Sequence, residues 1–183
     1  MKKIYFLPLS LFTLLLLSNC SANTSSIAES KAEKIQSILY FNPEIFPNID
    51  EIKEPTYAAF YSTVSENMHL YKNFKMLRVD SEIPFDDQDS TVISEFCVNN
   101  NAQFAVVPKV KYFKVGIGKY VFSNQVIVSM KLFDAAGNFL AESDYDTFKK
   151  NSRILGSAEN SIKIGTSGAM KNIGKTLQTL KKS

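Results

Sequence analysis

Phe104-Ala105-Val106-Val107-Pro108-Lys109-Val110-Lys111-Tyr112, and further on Val126-Ile127-Val128-Ser129-Met130-Lys131-Leu132-Phe133-Asp134, are the stretches on which the fold turns. In the first, Phe104, Val106, Val110 and Tyr112 alternate with Lys109 and Lys111. In the second, Val126, Val128, Met130 and Leu132, with Phe122 ahead of them, alternate with Gln125, Ser129 and Lys131. A period of two is the signature of a strand with one face buried. Residues 134–138, ending in Gly137-Asn138, then turn the chain into a third such segment over 139–148, so two hairpins form an antiparallel meander.

Upstream the period changes. Ile35, Ile38, Leu39, Tyr40 and Phe41 predict a first strand, closed by Asn42-Pro43 and a loop containing Pro47. From Pro55, a residue suited to the first helical position, Tyr57, Phe60, Tyr61, Val64 and Met68 recur at helical spacing, predicting a helix to about residue 70. Residues 74–79 read as a second strand. Pro84 and the cluster Asp86-Asp87-Gln88-Asp89 break it before a second helix, apolar at Val92, Ile93, Phe96 and Cys97. From Ser157 onward, Ile162, Thr166, Ala169, Ile173, Leu177 and Leu180 trace the stripe of one amphipathic helix. Gly165, Gly168 and Gly174 within it each cost about 1 kcal/mol relative to Ala, so close packing on the sheet is the expected reason for them. The element order β-α-β-α-β-β-β-α predicts an α+β fold, a mixed sheet of about five strands with helices packed on it. Right-handed crossovers are expected to set the first two helices on one face.

The N-terminus sets the compartment. Lys2 and Lys3 precede an apolar stretch over 5–17 that has the length of a signal h-region and is too short for a span of about 20 residues. Leu17-Ser18-Asn19-Cys20 closes it and resembles the bacterial lipoprotein signal, in which the Cys thiol is acylated, although Asn19 stands where Gly, Ala or Ser is usual. Cleavage after Ala22, at a small-x-small site, is the alternative and would release a soluble periplasmic or secreted protein. The expected organisation is a signal peptide over 1–19, a Ser/Ala/Thr-rich tether over 20–33 anchored to the membrane by lipid on Cys20, and a single periplasmic domain over 34–183. The lipoprotein resemblance implies the outer membrane, because Ser21 is not the Asp that marks inner-membrane retention. Palmitate-class acyl chains, at roughly 0.8 kcal/mol per buried methylene, make such an anchor stable. With Cys20 acylated, Cys97 has no intramolecular disulfide partner.

Removing the leader leaves about 160 residues, enough for one core. Of the formal charge of +3, two units belong to Lys2 and Lys3. The mature chain is therefore near neutral, which argues against a nucleic-acid partner. The tail keeps Lys171, Lys175, Lys181 and Lys182 among apolar residues, as a solvated helix face does.

The strand Ala102-Gln103-Phe104-Ala105-Val106-Val107-Pro108 after a helix, and the hairpin over 126–134 closing through Gly137-Asn138, resemble the small periplasmic α/β domain shared by TolB N-terminal regions, the CsgG curli-secretion lipoproteins, the penicillin-binding-protein activator LpoB and PelC-like export lipoproteins. The resemblance covers about residues 34–148. It implies assembly or regulatory work in the envelope, through oligomers or partner enzymes, without the long membrane hairpins of a CsgG pore.

Catalytic patterns do not emerge. One histidine, His69, cannot build a two-His metal site and reads as a helix-end residue. Gly116-Ile117-Gly118-Lys119 lacks the rest of a phosphate loop and continues into Tyr120-Val121-Phe122, so it reads as a hairpin turn. Asp86, Asp87 and Asp89 fit helix capping better than Ca²⁺, there being no Gly and no Glu at the twelfth position. Cys97 reads as a small buried hydrophobe. Glu142, Asp144 and Asp146 share one face of a strand, and pairing with Lys109, Lys111 and Lys131 on a solvated sheet surface is their expected use. No catalytic residue, metal ligand or cofactor is predicted.

Aromatics are in excess, with 14 Phe, 8 Tyr and no Trp. Phe113, Ile117, Tyr120 and Phe122 crowd the hairpin around Gly116 and Gly118 and form the candidate interaction surface. The favoured expectation is a non-enzymatic envelope accessory or assembly factor that binds a partner protein or its own copies. The alternative is a small-ligand binder or hydrolase using Glu142, Asp144 and Asp146.

Overall fold

The computed structural model describes residues 35–113, 125–150 and 157–180. The predicted leader, Cys20 and the tether, and Ile117, Tyr120 and Phe122 of the hairpin, lie outside them. The α+β class is as expected. One mixed six-stranded sheet holds β1 (Gln36–Asn42), β2 (Glu44–Phe46), β3 (Phe74–Glu82), β4 (Phe104–Tyr112), β5 (Val126–Asp134) and β6 (Phe139–Asp146). The order is β3-β1-β4-β5-β6, with short β2 continuing beside β4 past the end of β1. Strands β1, β3 and β4 run parallel, and β4, β5 and β6 form the antiparallel meander. The helices are α1 (Asp50–Met68), α2 (Ser90–Asn99), the short α3 (Thr147–Lys150) and α4 (Ala158–Leu180).

Central strands are covered on both sides: Ile38, Leu39, Tyr40 and Phe41 are all buried, as are Ala105, Val106 and Val107, so the first half of β4 does not have the single buried face that its alternation predicts, because α2 packs on the other side. On one face Ile38, Tyr40, Val106, Val110, Met130 and Leu132 meet Phe60 and Val64 of α1 and the apolar stripe of α4. On the other, Leu39, Phe41, Ala105, Val107 and Phe133 meet Ile93 and Cys97 of α2, with Ile83 and Phe85 of the preceding loop. The first two helices thus lie on opposite faces, contrary to the expectation of one shared face. Strand β3 pairs on one side of β1 and β4 on the other. The second crossover therefore runs back across the sheet, and the same right-handed turn delivers its helix to the opposite side.

Boundaries differ from the sequence reading in four places. Helix α1 begins at Asp50, with Pro55 inside it rather than at its start. The segment read as a loop around Pro43 and Pro47 contains β2. Strand β3 continues past Val79 to Glu82. Strand β6 ends at Asp146, whose carboxylate accepts from the Phe148 and Lys149 amides at 2.9 and 3.2 Å and starts α3 where further strand was expected.

Helix α4 follows its predicted stripe. Ile162, Thr166, Ala169, Ile173 and Leu177 are buried, while Leu180 at the end is exposed. Its glycines are closely approached, as expected. A Cβ on Gly165 would stand 2.6 Å from Val128 Cγ2, one on Gly168 1.9 Å from Tyr145 Cδ2, and one on Gly174 2.2 Å from Tyr71 Cε1. Gly137 has φ +80°, and a Cβ there would meet the Ser90 carbonyl oxygen, so the β5–β6 turn seats its backbone against the start of α2.

Candidate functional site

Two groups of residues singled out from the sequence fall within the described structure, and both belong to the sheet face that α2 covers only in part. Register across this face sets Glu44, Lys109, Ser129 and Asp144 in one row, and Phe46, Lys111, Ile127 and Asp146 in the next. Lys131 stands opposite Glu142.

The expected cross-strand pairing of Lys109, Lys111 and Lys131 with these acids is not formed among the described residues; Asp146 instead has Lys149, three residues on in α3, at 4.0 Å. Lys109 Nζ instead meets Glu44 Oε1 at 3.0 Å and Asp86 Oδ2 at 2.6 Å. Lys131 Nζ donates to the Phe85 carbonyl at 2.8 Å and lies 4.5 Å from the centroid of the Phe85 ring. Glu44 Oε2 accepts from the Phe85 amide at 2.7 Å. These lysines clamp the loop that leads into α2, because its carbonyl and carboxylate lie nearer the amines than the strand β6 acids do. The hydrogen bond to Lys109 and its charge hold the Asp86 carboxyl below the usual range, and the same bond raises Lys109.

Asp89 caps α2, accepting from the Thr91 and Val92 amides at 2.8 and 3.4 Å. With Asp86 drawn to Lys109, the acidic cluster is divided between a cap and a clamp. Among the described residues no group of three His, Cys, Asp or Glu side chains is placed to hold a metal. Glu142 and Asp144 are exposed on edge strand β6, with no apolar wall around them to make either a general acid. His69 is exposed at the end of α1, with its Nδ1 against the Glu66 carbonyl. Cys97 is 0% exposed, and burial, followed by the nearby Asp134 charge, pushes its thiol up to about 11.

Of the predicted interaction surface, Phe113 alone is described. It is half-buried just past β4, and its amide donates to the Gln125 carbonyl at 3.1 Å. Lys111 Nζ lies 5.9 Å from its ring centroid and 5.7 Å from that of Phe46. Phe46 is exposed, as is Phe148 just beyond β6 in the neighbouring row. The structure thus adds Phe46 and Phe148 to an aromatic end of the sheet that sequence reading placed in the hairpin alone. Phe46 was hidden between two prolines that signalled a loop, and Phe148 was read as the last residue of a strand.

A second feature lies on the helical face. Ile52, Pro55 and Ala59 of α1, Ala158 and Ile162 of α4, and Tyr112 line a largely apolar cleft of about 550 Å³ that Ser62, Glu159 and Lys163 border with polar groups. The hydroxyl of Tyr112 lies 2.6 Å from the buried Thr56 Oγ1, and burial raises the Tyr112 pKa. Among the described residues no helix is long and apolar enough to cross a membrane.

No protein-family model and no curated protein matches the chain. Solved structures similar to it include the PelC dodecamer from Paraburkholderia phytofirmans, at 11% identity, TM-score 0.43, and coverage of 78% of this chain and 87% of that one. A neuraminyllactose-binding hemagglutinin homolog from Helicobacter pylori shows 12% identity, TM-score 0.42, and coverage of 79% and 84%. A lipoprotein from Neisseria meningitidis shows 11%, 0.33, and coverage of 76% and 99%. Likeness of this order carries no conclusion about activity or partners.

Proposed function

We propose that the chain is an envelope lipoprotein, held to the outer membrane by acyl chains on Cys20, that works without catalysis by binding a partner protein or its own copies. The observation that carries this reading is the n-region, h-region and Leu17-Ser18-Asn19-Cys20 in sequence. The exposed aromatics Phe46 and Phe148, with half-buried Phe113, supply anchors of the kind that dominate interface energetics. The acids of β6 stand on an open strand, which favours recognition over acid–base chemistry.

The test is fractionation of the native envelope. Wild type travels with membranes and begins at an acylated Cys20, and Cys20→Ala moves it to the soluble fraction. A soluble wild-type protein beginning at Asn23 overturns the anchor. Crosslinking in the same envelope, read by mass spectrometry, identifies what sits against Phe46 and Phe113.

A further inference from the structure

Among the described residues seven large apolar side chains are left exposed; one is Val98 of α2, and the other six are sorted by the sheet. Phe46 and Phe148 lie at the end where β4 finishes, and Ile35, Leu70, Phe139 and Leu180 at the opposite end. At that opposite end β1 and β3 start side by side, the Gln36 amide donating to the Asn73 carbonyl at 2.8 Å. Residue 35 precedes β1, and Leu70 lies in the turn that precedes β3. The last turns of α4 come to the same end, because Tyr71 packs on Gly174 and its hydroxyl donates to the Met170 carbonyl at 3.1 Å. Phe139 opens β6 in the row that starts β4.

Charge is sorted the same way. Lys72, Lys75 and Lys175 are exposed here and form no ion pair among the described residues, and residues 67–79 and 160–180 contain no acidic side chain. The carboxylates bordering this end include Glu66, which accepts from Ser62, Asp134, which is bonded to Asn138 and the Ala136 amide, and exposed Glu95 of α2, which lines a cleft with Ala136. A basic end with protruding apolar residues is the composition of a surface that binds a bilayer interface, lysines to headgroups and apolar side chains into the acyl boundary. The chain itself supplies the direction. Residues 21–34 alone separate Cys20 from Ile35, a reach of roughly 20 Å by the random-coil rule.

We propose that this end of the domain is a membrane-binding face for anionic phospholipid headgroups, with Ile35, Leu70 and Leu180 entering the interface and Lys72, Lys75 and Lys175 meeting phosphates. The aromatic end with Phe46 then points away from the bilayer, towards a partner. The proposal rests on the lipoprotein reading for the side from which the membrane approaches, and on the face itself for affinity.

The absence of Trp from the chain makes the test clean. Leu70→Trp and Phe46→Trp each give a single-tryptophan protein. The mature chain is purified as the cell makes it, and the mass of its N-terminal peptide reports on the anchor independently. Each variant is combined with vesicles of brominated phosphatidylcholine, alone or with one part in three brominated phosphatidylglycerol. Tryptophan at 70 is expected to be blue-shifted and quenched on the anionic vesicles, and tryptophan at 46 to be unaffected. Replacing Lys72, Lys75 and Lys175 by Glu lowers the ratio of bound to free face by about 100-fold or more, at about 1 kcal/mol per lysine, and returns position 70 to its solvent emission. Quenching at 46 instead of 70, at neither, or at 70 without dependence on lipid charge or the three lysines overturns the proposal. An unacylated Cys20 with intact quenching at 70 refutes the anchor and leaves the face standing.

Discussion

Gly168→Ala tests how tightly α4 lies on the sheet, since two effects of opposite sign compete there. In an exposed helix interior the change is stabilising by about 1 kcal/mol. Here the new Cβ would lie 1.9 Å from Tyr145 Cδ2 and 2.3 Å from both Cγ and Cε2. Carbon atoms in contact sit about 3.5–4 Å apart, so a gap of more than 1 Å must open. Because Cγ is among the clashing atoms, swinging the far end of the ring does not relieve the contact. The helix is no freer to move, since Gly165 faces Val128 on the same side and Ala169 is fully buried. Overpacking of this kind costs about 1–3 kcal/mol, and a clash this deep belongs at or beyond the upper end. Net destabilisation of about 2 kcal/mol follows, a fall in Tm of about 4–8 °C for a domain of this size. Thermal melts of wild type, Gly168→Ala, Tyr145→Ala and the double variant read it directly, with a coupling of at least about 1 kcal/mol between the two sites. Asn172→Ala, on the exposed side of the same helix, controls for propensity. A Gly168→Ala protein that melts above wild type refutes the close approach.

Cys97 resists alkylation in the native protein, and Cys97→Ser destabilises by about 1–3 kcal/mol through a poorly paired buried hydroxyl. Its folded-state pKa is raised, so the stability it contributes is intact below about 9 and is lost as pH rises towards about 11, a decline that Cys97→Ala removes from the pH profile of unfolding. Asp86 titrates below an ordinary carboxyl in a pH series of NMR spectra, and Lys109→Met returns it to the ordinary range, as expected if the lysine holds it ionised. Thr166→Val is neutral or stabilising in urea melts, because Oγ1 is buried without a hydrogen-bond partner among the described residues. Phe46→Ala leaves Tm nearly unchanged and weakens partner capture by about 30-fold, the equivalent of 2 kcal/mol. A loss of fold with no separate loss of capture would make that ring structural.

What the sequence determined by itself was everything set by local period and local chemistry. Alternation over 104–112 and 126–134 specified two strands and one of the faces they bury, because side-chain direction in a strand depends on the backbone alone, but it did not reveal that Ala105, Val107 and Phe133 are buried on the other face under α2. The stripe from Ile162 to Leu177 specified the buried side of α4, and the α4 glycines announced close packing without naming their neighbours. Asp89 was legible as a cap, since capping is settled within three residues. Partner choice between distant segments was not legible. Lys131 and Glu142 are in register, yet the amine reaches Phe85 in a loop 46 residues away in the chain, a position that exists only once the loop has folded onto the sheet. The side taken by α2 depended likewise on whether β4 pairs beside β3 or beyond β1, a long-range choice made by burial on both faces of β1. The sorting of Ile35, Leu70 and Leu180 to one end and Phe46 to the other is of the same kind. Each residue is an isolated exposed side chain in the sequence, and only the order and direction of the strands and helices brings three of them together.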